Sequence, residues 1–160
     1  MSYISFTKVD LPYGWLGNMS PYPVSYEGKT WRTTEALFQA LRFNDEEIRE
    51  AIRNEKSPMG AKLKAKSIMK NAHPDKICVK PLSREDLDNM RMCISLKLEQ
   101  HHNLVAELVK TGDAKIYEDV TSRGKRGSNL FWGALMENGE WIGDNHLGKM
   151  WEELRMSYKK

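Results

Sequence analysis

At Gly28 the hydrophobic period of the chain changes, and that change constrains the fold more than any other feature of the 160 residues. Before and around it, VSYEGKTW reads as two short β-prone runs joined at Glu27-Gly28, the pattern of a tight hairpin. After it, TTEALFQALRF carries Leu37, Phe38, Ala40 and Leu41 at helical spacing, with Thr33 or Thr34 placed to accept an orphan N–H at the helix start. Asp45 is the expected cap of a second helix with Ile48 and Ile52 four apart, and Ser57-Pro58 opens a third. From Ser83 a longer stripe runs through Leu87, Met90, Ile94, Leu98, Val105 and Leu108 to Gly112, with Ser83 and Asp86 spaced as a capping box and Asn103 as a break. KIYED then reads as a strand and Asn138-Gly139 as a hairpin tip. A last helix begins near His146 with Leu147, Met150, Trp151 and Leu154 inward. The expectation is a helix-dominated α+β fold with a small β-sheet, built as a single domain over residues 1–160 around one core.

The totals exclude several classes. No apolar run approaches the ~20 residues that cross a bilayer, and MSYISFTKVD lacks the basic flank and apolar centre of a secretory signal, so the cytoplasm is the expected compartment. Cys78 and Cys93 occur without CxxC spacing or a neighbouring His, and the sequence reading treats both as buried thiols; no metal site is expected. The net charge of +3 is too small for a dedicated nucleic-acid tail, but KLKAK at 62–66 and RGKR at 123–126 are dense enough to suit phosphate. No Walker, GxGxxG or GxSxG fingerprint is present.

Glu35 falls in the first turn of the helix after the hairpin, where a carboxylate complements the helix dipole by ~0.3–1 kcal/mol. Gln39, four residues on, projects from the same side, so the pair is also suited to line a pocket. Asp144 and Asn145 precede the last helix. Asn145 reads as its N-cap, at a helix end that also suits an anion. Two of the five tryptophans, Trp132 and Trp141, fall in the glycine-studded FWGALMENGEWIGDNHLG. Trp141 suits a core anchor. Trp132, followed by Gly133, suits a wall on which a planar ligand stacks.

Read in order, WLGN, SYEGKTWRTTEALFQA, SPMGAK, KLEQHHNL, LVKTGD, FWG and GDNHLGKMWEELR resemble the NADAR (YbiA-like) family from about Trp15 to Arg155. The resemblance implies a compact, mainly helical domain acting as an N-glycosidase on a phosphorylated, ribose-containing substrate, either a riboflavin-pathway intermediate or ADP-ribose attached to a nucleobase. It implies Glu35 as the active-site acid, and Asp144, beside Glu118 and Asp119, is a candidate second carboxylate. Asn18, Lys62, Trp132, Gly133, Asn145, Gly148 and Arg155 fall on family motif positions and are assigned with Gln39 to pocket shape and ligand contact. No cofactor and no metal are implied. The implied partner is a small nucleotide or an ADP-ribosylated base, with nucleic acid as carrier in the second case and no membrane. The chain departs from the family pattern at Ala36, where His is common, at Asn129, where Asp is common, and in lacking a tryptophan between Lys70 and Asp86. A non-catalytic ADP-ribose or nucleotide reader is the alternative expectation, and a general single-strand binder ranks last.

Overall fold

The computed structural model describes residues 2–159. In chain order the elements are β1 (Tyr3–Phe6), a 3-10 turn at Gly14–Leu16, β2 (Val24–Tyr26), β3 (Lys29–Trp31), α1 (Thr34–Ala40), α2 (Glu46–Arg53) and α3 (Pro58–Asn71). A second 3-10 turn at Pro74–Lys76 leads to α4 (Arg84–Gln100), α5 (His102–Lys110), β4 (Lys115–Glu118), α6 (Asn129–Trp132), β5 (Leu135–Glu137), β6 (Glu140–Ile142) and α7 (His146–Tyr158). The fold is helix-dominated α+β, and its strands form three separate two-stranded pairs among the described residues. None of the described helices is long and apolar enough to cross a membrane. The residues gather in two compact units, one spanning 21–100 and the other joining the segment up to Ser20 with the chain from His101 onward.

In the 21–100 unit, β2 and β3 pair antiparallel with Val24 opposite Trp31 and Tyr26 opposite Lys29. Glu27 and Gly28 both take positive φ, 48° and 79°, as a turn matching the strand twist requires. The helix starts follow local chemistry. Thr33 Oγ1 accepts from the Ala36 N–H at 3.2 Å, Asp45 Oδ1 from Ile48 at 3.0 Å and Ser57 Oγ from Gly60 at 2.9 Å. α1 packs against α2, α3 and α4, burying Leu37, Phe38, Ile52, Ala61, Ala65, Met90, Ile94 and Leu98. The amide of Gln100, at the end of α4, brackets Ser25 by accepting from its N–H and donating to its carbonyl, at 2.7 and 2.9 Å.

Three sequence expectations are corrected between Cys78 and His101. Ser83 Oγ does accept from the Asp86 N–H at 3.3 Å, but the Asp86 carboxylate does not return to the cap; it is fully buried and held by Arg42. Its reach back toward the helix start ends on the Leu82 N–H at 2.9 Å, one residue before Ser83, because the charge-assisted bonds to the guanidinium fix where the carboxylate lies. Cys78 is exposed rather than buried, since it follows the irregular turn after α3 outside any packed helix face; Cys93 is buried as expected. The break in the long helical stripe comes at His101, ahead of Asn103.

In the other unit β1 pairs parallel with β4, Tyr3 opposite Lys115 and Phe6 opposite Glu118, bringing together segments more than 100 residues apart. α7 lies on β4. The approach is so close that a Cβ at Gly148 would stand 2.0 Å from the Ile116 carbonyl oxygen, so no side chain is tolerated there. Trp151, fully buried on the inner face of α7, donates Nε1–H to Leu16 O at 3.0 Å and meets Trp15 edge-on. β5 and β6 form the second hairpin, with Asn138 and Gly139 at positive φ.

Candidate functional site

In the 21–100 unit, α1 presents Glu35 and Gln39 four residues apart on one side, and Arg42, in the turn just after the helix, continues the row three residues on, so each side chain meets the next. Gln39 Nε2 donates to Glu35 Oε2 at 2.7 Å, and Arg42 Nη1 donates to Gln39 Oε1 at 3.2 Å. Arg42 then reaches α4, donating Nε and Nη2 to the two Asp86 oxygens at 3.0 and 2.8 Å, while the Leu82 N–H adds a further bond to Asp86 at 2.9 Å. The Arg42 guanidinium also lies 4.8 Å over the Phe38 ring. Burying a carboxylate is costly, and here two guanidinium N–H groups and a backbone N–H offset the lost water. Glu35 is half-buried and Gln39 is 7% exposed.

On α4 the buried polar or sulfur-bearing residues Asp86, Met90, Cys93 and Lys97 recur every three or four positions and form one stripe. Burial first, and then the carboxylates of Glu35 and Asp86, push the Cys93 thiol well above its ordinary range, which makes it an inert packing group near Glu35. Lys97 is fully buried, its ammonium 5.2 Å over the Tyr22 ring, and burial lowers its pKa to about 7. Lys62 and Lys66 lie on α3, the first half-buried and the second exposed. Of the sequence candidates in this unit, the structure joins Glu35 and Gln39 directly. Arg42, Asp86 and Lys97 were not singled out as functional. Their signal was present only in part, as charged residues falling on the apolar side of a helical pattern, where charge is rare unless paired. A shallow hollow of about 430 Å³, lined by residues such as Asp45, Ile48, Ile68 and His73, includes none of the candidate residues.

In the other unit Asn145 occupies the residue before α7 but does not cap it. It sits in the left-handed region at φ 53°, and its amide accepts from the Glu118 N–H at 3.0 Å and donates to the Ile116 carbonyl at 2.8 Å. A carboxamide has the donor and acceptor of a peptide unit, so Asn145 completes β4 as a further strand would; that pairing outcompetes the local cap. Gly133 lies against the same strand, where a Cβ would come within 2.5 Å of Glu118 O. Arg155, 6% exposed, donates to Thr111 Oγ1 and Ala114 O, both at 2.8 Å, tying α7 to the turn between α5 and β4. Asp144 is exposed, its N–H donating to Leu130 O at 2.7 Å. Asn18 is buried in the segment after the first 3-10 turn.

The two tryptophans differ. Trp141 stacks on Tyr117 at 4.5 Å and 9°, with Tyr3 edge-on, and so anchors the β5–β6 hairpin to the β1–β4 pair. Trp132 is 9% exposed and meets Phe131 edge-on at 4.9 Å. Asn129 Nδ2 donates to Gly124 O at 3.0 Å, fastening the basic loop; an aspartate there would have no donor to do this. Glu118 pairs with Arg123 at 3.4 Å, and Asp119 accepts from the Thr121 N–H at 2.9 Å. Among the described residues no three His, Cys, Asp or Glu side chains converge as a metal site.

The family model described as the NADAR domain matches residues 5–158. N-glycosidase YbiA of Escherichia coli (strain K12) is 35% identical over 156 residues, 95% of this chain and 86% of that protein. A protein of Vibrio vulnificus (strain YJ016) named as a riboflavin biosynthesis protein is 24% identical over 147 residues, 92% of this chain and 36% of its own length. The NMR structure of the Escherichia coli protein YbiA aligns with a TM-score of 0.74 at 33% identity, covering 98% of this chain and 84% of that one.

Proposed function

The chain belongs to the NADAR domain family, and on that premise we propose that it is an N-glycosidase acting on a phosphorylated, ribose-containing substrate, with Glu35 as the acting carboxylate. Breaking an N-glycosidic bond builds positive charge on the anomeric carbon and ring oxygen while the base departs. A carboxylate beside that carbon stabilises the charge or takes a proton from the attacking water. The observation that carries the reading is the bond from Gln39 Nε2 to Glu35 Oε2 at 2.7 Å: one oxygen of a half-buried carboxylate is fixed by a buried amide, and the other is left to act. Lys62, half-buried on the neighbouring α3, is the cation assigned to the substrate phosphate. The name of the Vibrio relative favours a riboflavin precursor as substrate, and ADP-ribose on a nucleobase is the other candidate within the same chemical class.

Glu35→Gln keeps the size of the side chain and removes its charge. Base release from a phosphoribosylated riboflavin precursor and from an ADP-ribosylated base, followed by mass spectrometry, is expected to fall to background while thermal unfolding is unchanged. Turnover at the wild-type rate would remove Glu35 from the reaction. Asn129, which stands where the family commonly has Asp, favours one second reading, a reader that holds ADP-ribose without cleaving it. Tight binding in calorimetry with no base release by the wild-type protein would establish that reading instead.

A further inference from the structure

We propose that Asp86 and Arg42 are positioning residues for Glu35, acting through the side-chain amide of Gln39; this rests on the reading of Glu35 as the acting carboxylate. A glutamine amide has a donor end and an acceptor end of nearly the same shape, so space alone does not choose between its two orientations. A guanidinium only donates. Arg42 Nη1, 3.2 Å from Gln39, therefore selects Oε1, and Nε2 is left to donate to Glu35 Oε2 at 2.7 Å. The reversed amide would set Oε1 against the carboxylate and Nε2 against the guanidinium, opposing like groups at both ends.

Arg42 is itself fixed from the far side. Asp86 only accepts, and it takes Arg42 Nε and Nη2 at 3.0 and 2.8 Å together with the Leu82 N–H at 2.9 Å, which leaves Nη1 pointing along α1. Every donor in the series thus has one consistent place, running from Arg42 toward Asp86 in one direction and through Gln39 to Glu35 in the other. Asp86 is 0% and Gln39 7% exposed, so water does not substitute for either link. The result is a carboxylate whose orientation is set at one oxygen by a charge pair two helical turns away. Misplacement of a reacting group by about 1 Å costs on the order of 100-fold in rate, so loosening this series is expected to act on turnover and to leave substrate affinity nearly intact.

The test uses Arg42→Lys, which retains the charge for Asp86 but lacks the fork that reaches Gln39, together with Gln39→Leu, the double variant and Glu35→Gln, in base release from a phosphoribosylated riboflavin precursor and from an ADP-ribosylated base. Arg42→Lys is expected to lower kcat roughly 10- to 100-fold with KM within about twofold, and to have no further effect in the Gln39→Leu background. Wild-type kcat in Arg42→Lys, or losses that multiply in the double variant, would overturn the positioning role while an inactive Glu35→Gln leaves the reading of Glu35 standing. Wild-type turnover in Glu35→Gln would overturn both. A measurement on the unaltered protein guards against variants that do not fold: with glutamine labelled by 15N, the Gln39 side-chain NH2 is expected to exchange its protons at least about tenfold more slowly than free glutamine. Exchange at the free rate would refute a pinned amide.

Discussion

Replacing Lys97 with methionine is expected to change how the stability of the protein depends on pH. The amine is fully buried on α4, and burial lowers its pKa from 10.5 to about 7 in the folded protein. Between those two values the unfolded chain binds a proton that the folded chain does not, so stability rises with pH across the window and falls as pH drops toward 7, levelling off below it. The slope approaches about 1.4 kcal/mol per pH unit, so roughly 2–3 kcal/mol is gained from pH 7 to pH 9. Above pH 9 the Cys93 thiol, raised from its ordinary value of 9.0 by burial first, opposes this gain, because the unfolded chain there loses a proton that the folded chain keeps, and the rise flattens. Methionine fills a similar volume with no charge to bury. Urea unfolding of the wild type and Lys97→Met at pH 7, 8 and 9 is expected to show a gap favouring the variant at pH 7 that closes by roughly 2 kcal/mol at pH 9. Parallel stability curves for the two proteins would show that Lys97 stays charged in the fold and would refute the burial argument.

Asn145→Ala removes a bond from the Glu118 N–H and a bond to Ile116 O, leaving two backbone groups of β4 without partners, and is expected to cost about 2–4 kcal/mol in chemical unfolding. Gly148→Ala tests which of two effects wins: helix propensity favours alanine by ~1 kcal/mol, but its Cβ would meet the Ile116 carbonyl at 2.0 Å, and a net loss of at least about 2 kcal/mol is expected. Glu50, held near pKa 2 by Arg53 and then Lys29, gives stability that is fully present above pH 4.5 and lost as pH falls toward 2. Glu50→Gln is expected to flatten that acid limb in thermal unfolding followed between pH 5 and pH 2.

What could be read in advance was local. The hairpin at Glu27-Gly28, the caps at Thr33, Asp45 and Ser57 and the second hairpin at Asn138-Gly139 each rest on residues within four positions of one another, where a backbone group and its nearest side chain decide the outcome. The pairing of Glu35 with Gln39 belongs to the same class, because a helix brings residues four apart together whatever surrounds it. Local spacing showed Asp86 only as the returning member of a capping box with Ser83, because its true partner, Arg42, lies 44 residues away. Asn145 likewise looked like a cap until β4, 27 and 29 residues earlier, offered its amide a better pair of contacts. The parallel pairing of β1 with β4 has no adjacent turn to announce it, and the pKa of Lys97 depends on which helices cover it. Short-range geometry is written residue by residue along the chain, whereas desolvation and distant hydrogen bonds are properties of what packs around a group, and these exist only once the chain has folded.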